Sequence, residues 1–192
     1  MDPGVFKYRE NLGDQCGLTQ AGVHLITLPP DNTSTVPHWH SNEDEWFYVI
    51  RAGEGARIVL YEDGEAEPKE EEVKTGDFFG FPAATKTGNA FKSGLDEMVY
   101  LVGGSRKDVD VVYYPTMKTR GVIDRTGPGA MWGVKEEHVR TPNYQPPGKE
   151  SKRWKLAYWC ASFVGYVRSG PPPWIRLLTT PGSTIGSEGG QP

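Results

Sequence analysis

The sequence predicts an all-β protein built as a jelly roll, and three observations predict it. Gly and Pro, 24 and 16 of 192 residues, make up about a fifth of the chain against about an eighth in average usage. Both punctuate turns and spoil helix interiors. With glycine counted as apolar and tyrosine left out, the apolar share is about 44%, close to the globular average, so the chain can build a core. Between residues 22 and 115, short β-branched and aromatic runs alternate with turn signals. About eight runs in one short stretch suit a sandwich or barrel.

Taken in order, residues 23–28 form the first run, stopped by Pro29-Pro30. Residues 36–40 are short and extended. Glu45–Arg51 is aromatic and β-branched and ends at Ala52-Gly53-Glu54-Gly55. Residues 56–61 close on Asp63-Gly64, a hairpin signal. Residues 71–74 run into the Gly76-Asp77 turn, Phe78–Phe81 ends at Pro82, and residues 98–102 and Val109–Tyr114 complete the series. The acidic stretch 62–72, with seven carboxylates, reads as a solvated hairpin tip that keeps a sheet edge from pairing. Its spacing does not fit an EF-hand loop.

Beyond Pro115 the pattern becomes irregular. Gly and Pro are scattered through 116–148, and basic residues crowd 149–155. An apolar run at 154–167 is stopped by Pro171-Pro172-Pro173, and 179–192 is a Gly/Ser/Pro-rich tail read as disordered. We expect a barrel domain over 1–118 and an extension over 119–192, with the apolar run packing on the barrel or on a second subunit; a membrane-surface role and a poorly ordered tail are the alternatives.

Composition excludes several classes. A formal charge of −4 and a pI near 5.6 argue against a nucleic-acid partner. No apolar run reaches the length of a membrane span, and no charged start leads into an apolar run as in a signal peptide. Cys16 and Cys160 give neither a disulfide framework nor metal-ligand spacing. A cytoplasmic protein is expected.

The informative stretch is Pro37-His38-Trp39-His40-Ser41-Asn42-Glu43-Asp44-Glu45. On a strand, side chains at i and i+2 share a face, so His38 and His40 project together and Trp39 points away. After a short turn Glu45 opens the next strand, where its carboxylate can swing back to the pair. Two imidazoles and a carboxylate bind a divalent metal and leave positions open for substrate, as in many non-haem iron sites. By the same parity Phe47 and Val49 lie on the Glu45 face, and Phe79 and Phe81 share one face. Such rings suit either a substrate pocket or an ordinary barrel core. His24 shares a face with Ile26 and Leu28 and reads as a core or edge histidine, and His138 as solvent-facing.

These residues resemble the cupin superfamily, and within it the small single-domain cupins. The first motif there has the form G-x5-H-x-H-x3–4-E-x6-G. His38, His40 and Glu45 match it, Gly53 comes one residue late, and Asn32 stands where the leading glycine belongs. The second motif, G-x5-P-x-G-x2-H-x3-N, begins with Gly76 and Pro82. It then departs: Ala84 replaces the second glycine, and Thr87, or Asn89 where the histidine falls two places later, replaces the imidazole. Residues 22–30, 76–83 and 112–115 are also similar, and the resemblance covers about residues 12–115.

The resemblance implies a double-stranded β-helix (jelly-roll) cupin barrel with an irregular C-terminal extension, assembled as a homodimer. It implies a divalent transition metal, Fe, Mn, Ni or Zn, on His38, His40 and Glu45 as catalytic centre, with Asn89 as a weak fourth ligand. Phe47, Val49, Phe79 and Phe81 would line the pocket of a small organic ligand. The reactions implied are those of a metal-dependent oxidoreductase, dioxygenase or decarboxylase. The alternatives are a non-enzymatic ligand-binding cupin and a metal-free isomerase or epimerase.

Overall fold

Gly and Pro cut this chain into strands so short that each must find its partner far along the sequence. The computed structural model describes residues 8–62 and 65–139 and the backbone of 175–177. In chain order the elements are β1 (Tyr8–Glu10), the single-turn helix α1 (Leu12–Gln15), β2 (Ala21–Leu28), β3 (Trp39–His40), β4 (Glu45–Arg51), β5 (Arg57–Glu62), β6 (Lys69–Glu72), β7 (Phe78–Phe81), β8 (Thr87–Lys92), β9 (Met98–Ser105), β10 (Val109–Tyr114), β11 (Thr119–Asp124), β12 (Ala130–Lys135) and β13 (Ile175–Leu177). The apolar run at 154–167, Cys160 and the tail at 179–192 lie outside the described residues. Among the described residues, no helix is long and apolar enough to cross a membrane.

Three antiparallel sheets form two walls. One wall is six-stranded, in the order β1-β2-β9-β4-β7-β13. The other is made of a four-stranded sheet, β12-β11-β10-β3, and a three-stranded sheet, β6-β5-β8. A single bridge between His38 and Asn89 joins these two along the β3–β8 seam. This is the jelly roll that the sequence predicts.

The core lies between the walls. Phe91 on β8 is fully buried, and its ring lies 5.1 Å from Phe47, 5.7 Å from Phe79 and 4.9 Å from Tyr100, all on the six-stranded wall. Offset and edge-on rings at these separations add to the area they bury. Phe91→Ala is expected to cost about 3–5 kcal/mol, the range for emptying an aromatic site in a packed core. The check is a lower urea midpoint at unchanged slope.

The acidic stretch behaves as a solvated edge. β6 pairs only with β5, its residues are largely exposed, and Lys69 and Lys92 reach Glu62 and Glu70 at 3.0 and 2.5 Å. Two other features differ from the expectation. The strand β8 was hidden by Gly88-Asn89-Ala90, residues of low strand propensity. Gly88 is not a turn residue: a Cβ there would lie 3.1 Å from His38 N, so glycine lets segment 37–38 approach the strand. Likewise β9 continues through Gly103 and Gly104. A Cβ on Gly103 would collide with the Trp46 indole, and one on Gly104 with the Asp44 carbonyl.

The region after Pro115 is also less irregular than the sequence suggests. β11 pairs along the whole of β10, and β12 along β11. They widen the second wall beside β3, so Ile123 and Arg125 come to line the cavity described next.

Candidate metal centre

Register builds the site. On the six-stranded wall Gly22, Gly104, Glu45 and Phe81 stand in one row across β2, β9, β4 and β7. His24, Val102, Phe47 and Phe79 form the next row, and Ile26, Tyr100 and Val49 the third. The rows descend from the rim into the core. A cavity of about 290 Å³ opens between this wall and β3, with His38, His40, Glu45 and Phe47 among its lining residues.

His38 and His40 face the same space, as strand parity requires, with ring centroids 5.2 Å apart. Trp39 turns the other way and packs against Tyr113 at 5.6 Å. His38 Nδ1 lies 2.8 Å from the Val36 carbonyl, and His40 Nδ1 lies 2.6 Å from Asp110 Oδ2. A carbonyl and a carboxylate only accept, so both Nδ1 atoms donate. In the neutral rings Nε2 is then the atom that offers a lone pair. His40 Nε2 is 3.9 Å from Glu45 Oε1. The ligand atoms of His38, His40 and Glu45 all lie within 4.8 Å of one another.

Asp110 is the support that the motif does not contain. Its side chain is 0% exposed, and its second oxygen accepts the Asn42 N–H at 2.9 Å. Burial pushes its carboxyl up, but the bonds from His40 and Asn42 outweigh that and hold it below the usual range. The same pairing works in reverse on His40. Burial disfavours its charged ring, yet the Asp110 bond and the charges of Glu45, Asp110 and Glu43 raise its pKa above the ordinary value. Glu43 is buried as well, and binds Lys107 N and Arg125 Nη1, each at 2.7 Å. His40, Glu43 and Asp110 also form a compact group. Because His40 Nδ1 donates to Asp110, this group supports the imidazole and is not a second ligand set.

The remaining expected residues fall at different depths. Asn89 is buried beside the centre and donates through Nδ2 to Glu45 Oε2 at 3.3 Å. In this orientation it positions the carboxylate. Thr87 is buried on the same strand face, and neither position carries an imidazole. Ala84 stands where the resembled motif has glycine and adopts φ 62°, the left-handed region that costs an L-residue about 1–2 kcal/mol. Its N–H donates to the His40 carbonyl at 2.8 Å and ties down β3. Phe81 borders a crevice with Glu45 and Asn89. Val49 and Phe79 share the expected face but lie deeper, in the buried core cluster.

Several lining residues lie outside the motif. His24, expected in the core or at an edge, lines the cavity with Arg9 and Arg106. Tyr100 lines it from β9, and burial, eased by a bond to Ser34, keeps its phenol protonated well above the ordinary range. His138 is exposed, as expected.

The family model for the cupin domain matches residues 24–102. A protein from Acidithiobacillus ferrooxidans named as a candidate sugar phosphate isomerase is 30% identical, covering 74% of this chain and 84% of that one with a TM-score of 0.62. A sugar phosphate isomerase of the cupin superfamily from Silicibacter pomeroyi is 28% identical, covering 71% and 81% with a TM-score of 0.57. Oxalate decarboxylase from Bacillus subtilis is far looser, at 19% identity and a TM-score of 0.40, covering 55% of this chain and 26% of that one. No curated protein matches. With the two-walled jelly roll, the His-x-His on one wall facing Glu45 on the other, and a relative this similar over most of both lengths, the chain belongs to the cupin superfamily.

Proposed function

We propose that the protein is a metal-assisted isomerase of a small hydroxy-carbonyl compound, with the metal on His38, His40 and Glu45. One observation carries this reading. Both imidazoles have Nδ1 fixed by a hydrogen bond, which leaves Nε2 as the ligand atom, and the ligand atoms of His38, His40 and Glu45 lie within 4.8 Å of one another. Two nitrogens and one oxygen suit a divalent iron, manganese, nickel or zinc ion and leave sites for substrate. When bound, such an ion supplies Lewis-acid polarisation of the substrate's oxygen atoms.

The chain's own groups do the rest. Asp110 and the Val36 carbonyl set the histidine tautomers, and Asn89 orients Glu45. Tyr100, kept protonated, can donate to a substrate oxygen from the cavity wall. Ile26, Phe47 and Val102 make part of the lining apolar. A cavity of about 290 Å³ admits a compact metabolite. The same centre would serve oxidation or decarboxylation of an oxo acid. Isomerisation is preferred because the two relatives similar over most of both chains carry that name. A homodimer goes with this reading, supported by the family resemblance.

One observation favours a second reading. A histidine hydrogen-bonded to a buried carboxylate, as His40 is to Asp110, is also the arrangement of an acid–base catalyst that needs no metal. The test is interconversion of short-chain aldoses and ketoses and of their phosphate esters, followed by NMR, in metal-loaded and chelated protein. Turnover that chelation removes and metal restores is expected. Turnover that survives chelation would favour the metal-free reading, and no turnover in either state would overturn isomerisation.

A further inference from the structure

We infer that Arg9, His24 and Arg106, at the rim of the cavity, form a subsite for the phosphate group of the substrate. The inference rests on the reading above for the substrate's other end, since both groups of residues line one cavity.

Three elements bring these side chains together. Arg9 on β1 stands opposite Ile26 in register, on the cavity face of β2. Its Nη2 reaches to 3.0 Å from His24 Nε2. Arg106, just beyond β9, leans over Gly22 from the other side. A Cβ on Gly22 would sit 3.4 Å from Arg106 Nε and 3.5 Å from His24 Nε2. The glycine therefore leaves the space onto which both side chains converge.

The rim also carries carboxylates, and one of them, Asp14, shares Arg106 with the subsite. Asp14 pairs with Arg106 at 2.5 Å. Glu43 takes Arg125 and the Lys107 N–H, and Asp44 accepts from Ala83 N at 2.8 Å. Arg9 bonds only to Asn11 and His24, with no carboxylate partner among the described residues. The Asp14 charge also acts on Arg9 and His24, but it does not bond Arg9, and a guanidinium on a cavity wall that no carboxylate bonds is open to an anion. A carboxylate ligand would be satisfied by the fork of one arginine. Two guanidiniums arriving from different sides, with the His24 ring accepting from Arg9 between them, suit the terminal oxygens of a phosphomonoester.

The test uses chelated, metal-free full-length protein titrated with inorganic phosphate at low salt, by calorimetry and by NMR of the His24 imidazole. Saturable binding of one phosphate per chain that shifts the His24 resonances is expected. Arg9→Gln, a change at an exposed side chain, should weaken it by about tenfold or more, with metal uptake unchanged. Acetate should bind more weakly than phosphate. Binding that Arg9→Gln leaves unchanged, binding that does not move His24, or no saturable binding would overturn the subsite. Because no metal and no turnover enter this experiment, its failure is distinct from failure of the isomerase reading.

Discussion

His38→Ala and His40→Ala are expected to abolish metal uptake alike and to differ in stability. Removing a group that merely supports a metal ligand costs about 10–100-fold in affinity or activity, so losing a direct ligand should exceed about 100-fold in both variants. The two side chains are held differently, however. The other partner of His38 Nδ1 is a backbone carbonyl, that of Val36. His38→Ala should therefore cost about 1 kcal/mol, an ordinary value for a half-buried position. His40 Nδ1 is bonded to the carboxylate of Asp110, which stays buried when the ring is gone. His40→Ala should cost about 3 kcal/mol, because it leaves a buried charge without its partner. Metal binding by equilibrium dialysis and urea unfolding of the same samples check both halves. Equal stability of the two variants would remove Asp110 from the account.

Asp110→Ala should be nearly as damaging, and by the same argument. It strips the Asn42 N–H and the His40 Nδ1–H of their acceptor at a site that is 0% exposed, at about 3 kcal/mol. Without the carboxylate the His40 tautomer is no longer fixed, so metal affinity should fall about 10–100-fold. The pair also gives metal-free protein a signature in pH. The raised pKa of His40 means its contribution is full below the ordinary histidine value, about 6.5, and is lost as pH rises through the raised value. The lowered pKa of Asp110 means its contribution is present above about 3.9 and is lost as pH falls through the lowered value. The stability gap between wild type and Asp110→Asn should therefore be widest between about pH 4 and 6.5 and narrow above it. Urea unfolding of chelated protein at pH 5.5 and 8.5 checks this.

What could be read from the sequence was what lies close together in it. His38, His40 and Glu45 fall within eight residues, and strand parity alone turns the two imidazoles one way and Trp39 the other. Parity fixes a face but not a depth. Phe47 reaches the cavity, whereas Val49 and Phe79, on the same face, continue into the core. Asp110 comes from a strand seventy positions after His40, and nothing in its own neighbourhood, Val109-Asp110-Val111, marks it. The rim side chains Arg9, His24 and Arg106 needed the pairing of β1, β2 and β9 before they met. Gly88 and the Gly103-Gly104 pair conceal strand in a common way: glycine has low strand propensity, and here it makes room for a backbone or an indole within a strand.

The claim that His38, His40 and Glu45 form one metal centre is tested most directly by titrating chelated wild-type protein with Co²⁺ or Mn²⁺ and counting bound ions by elemental analysis. The account predicts one ion per chain, absent in His38→Ala and sharply weakened in Glu45→Gln. No bound ion, or an ion that remains at full stoichiometry in His38→Ala, would contradict it.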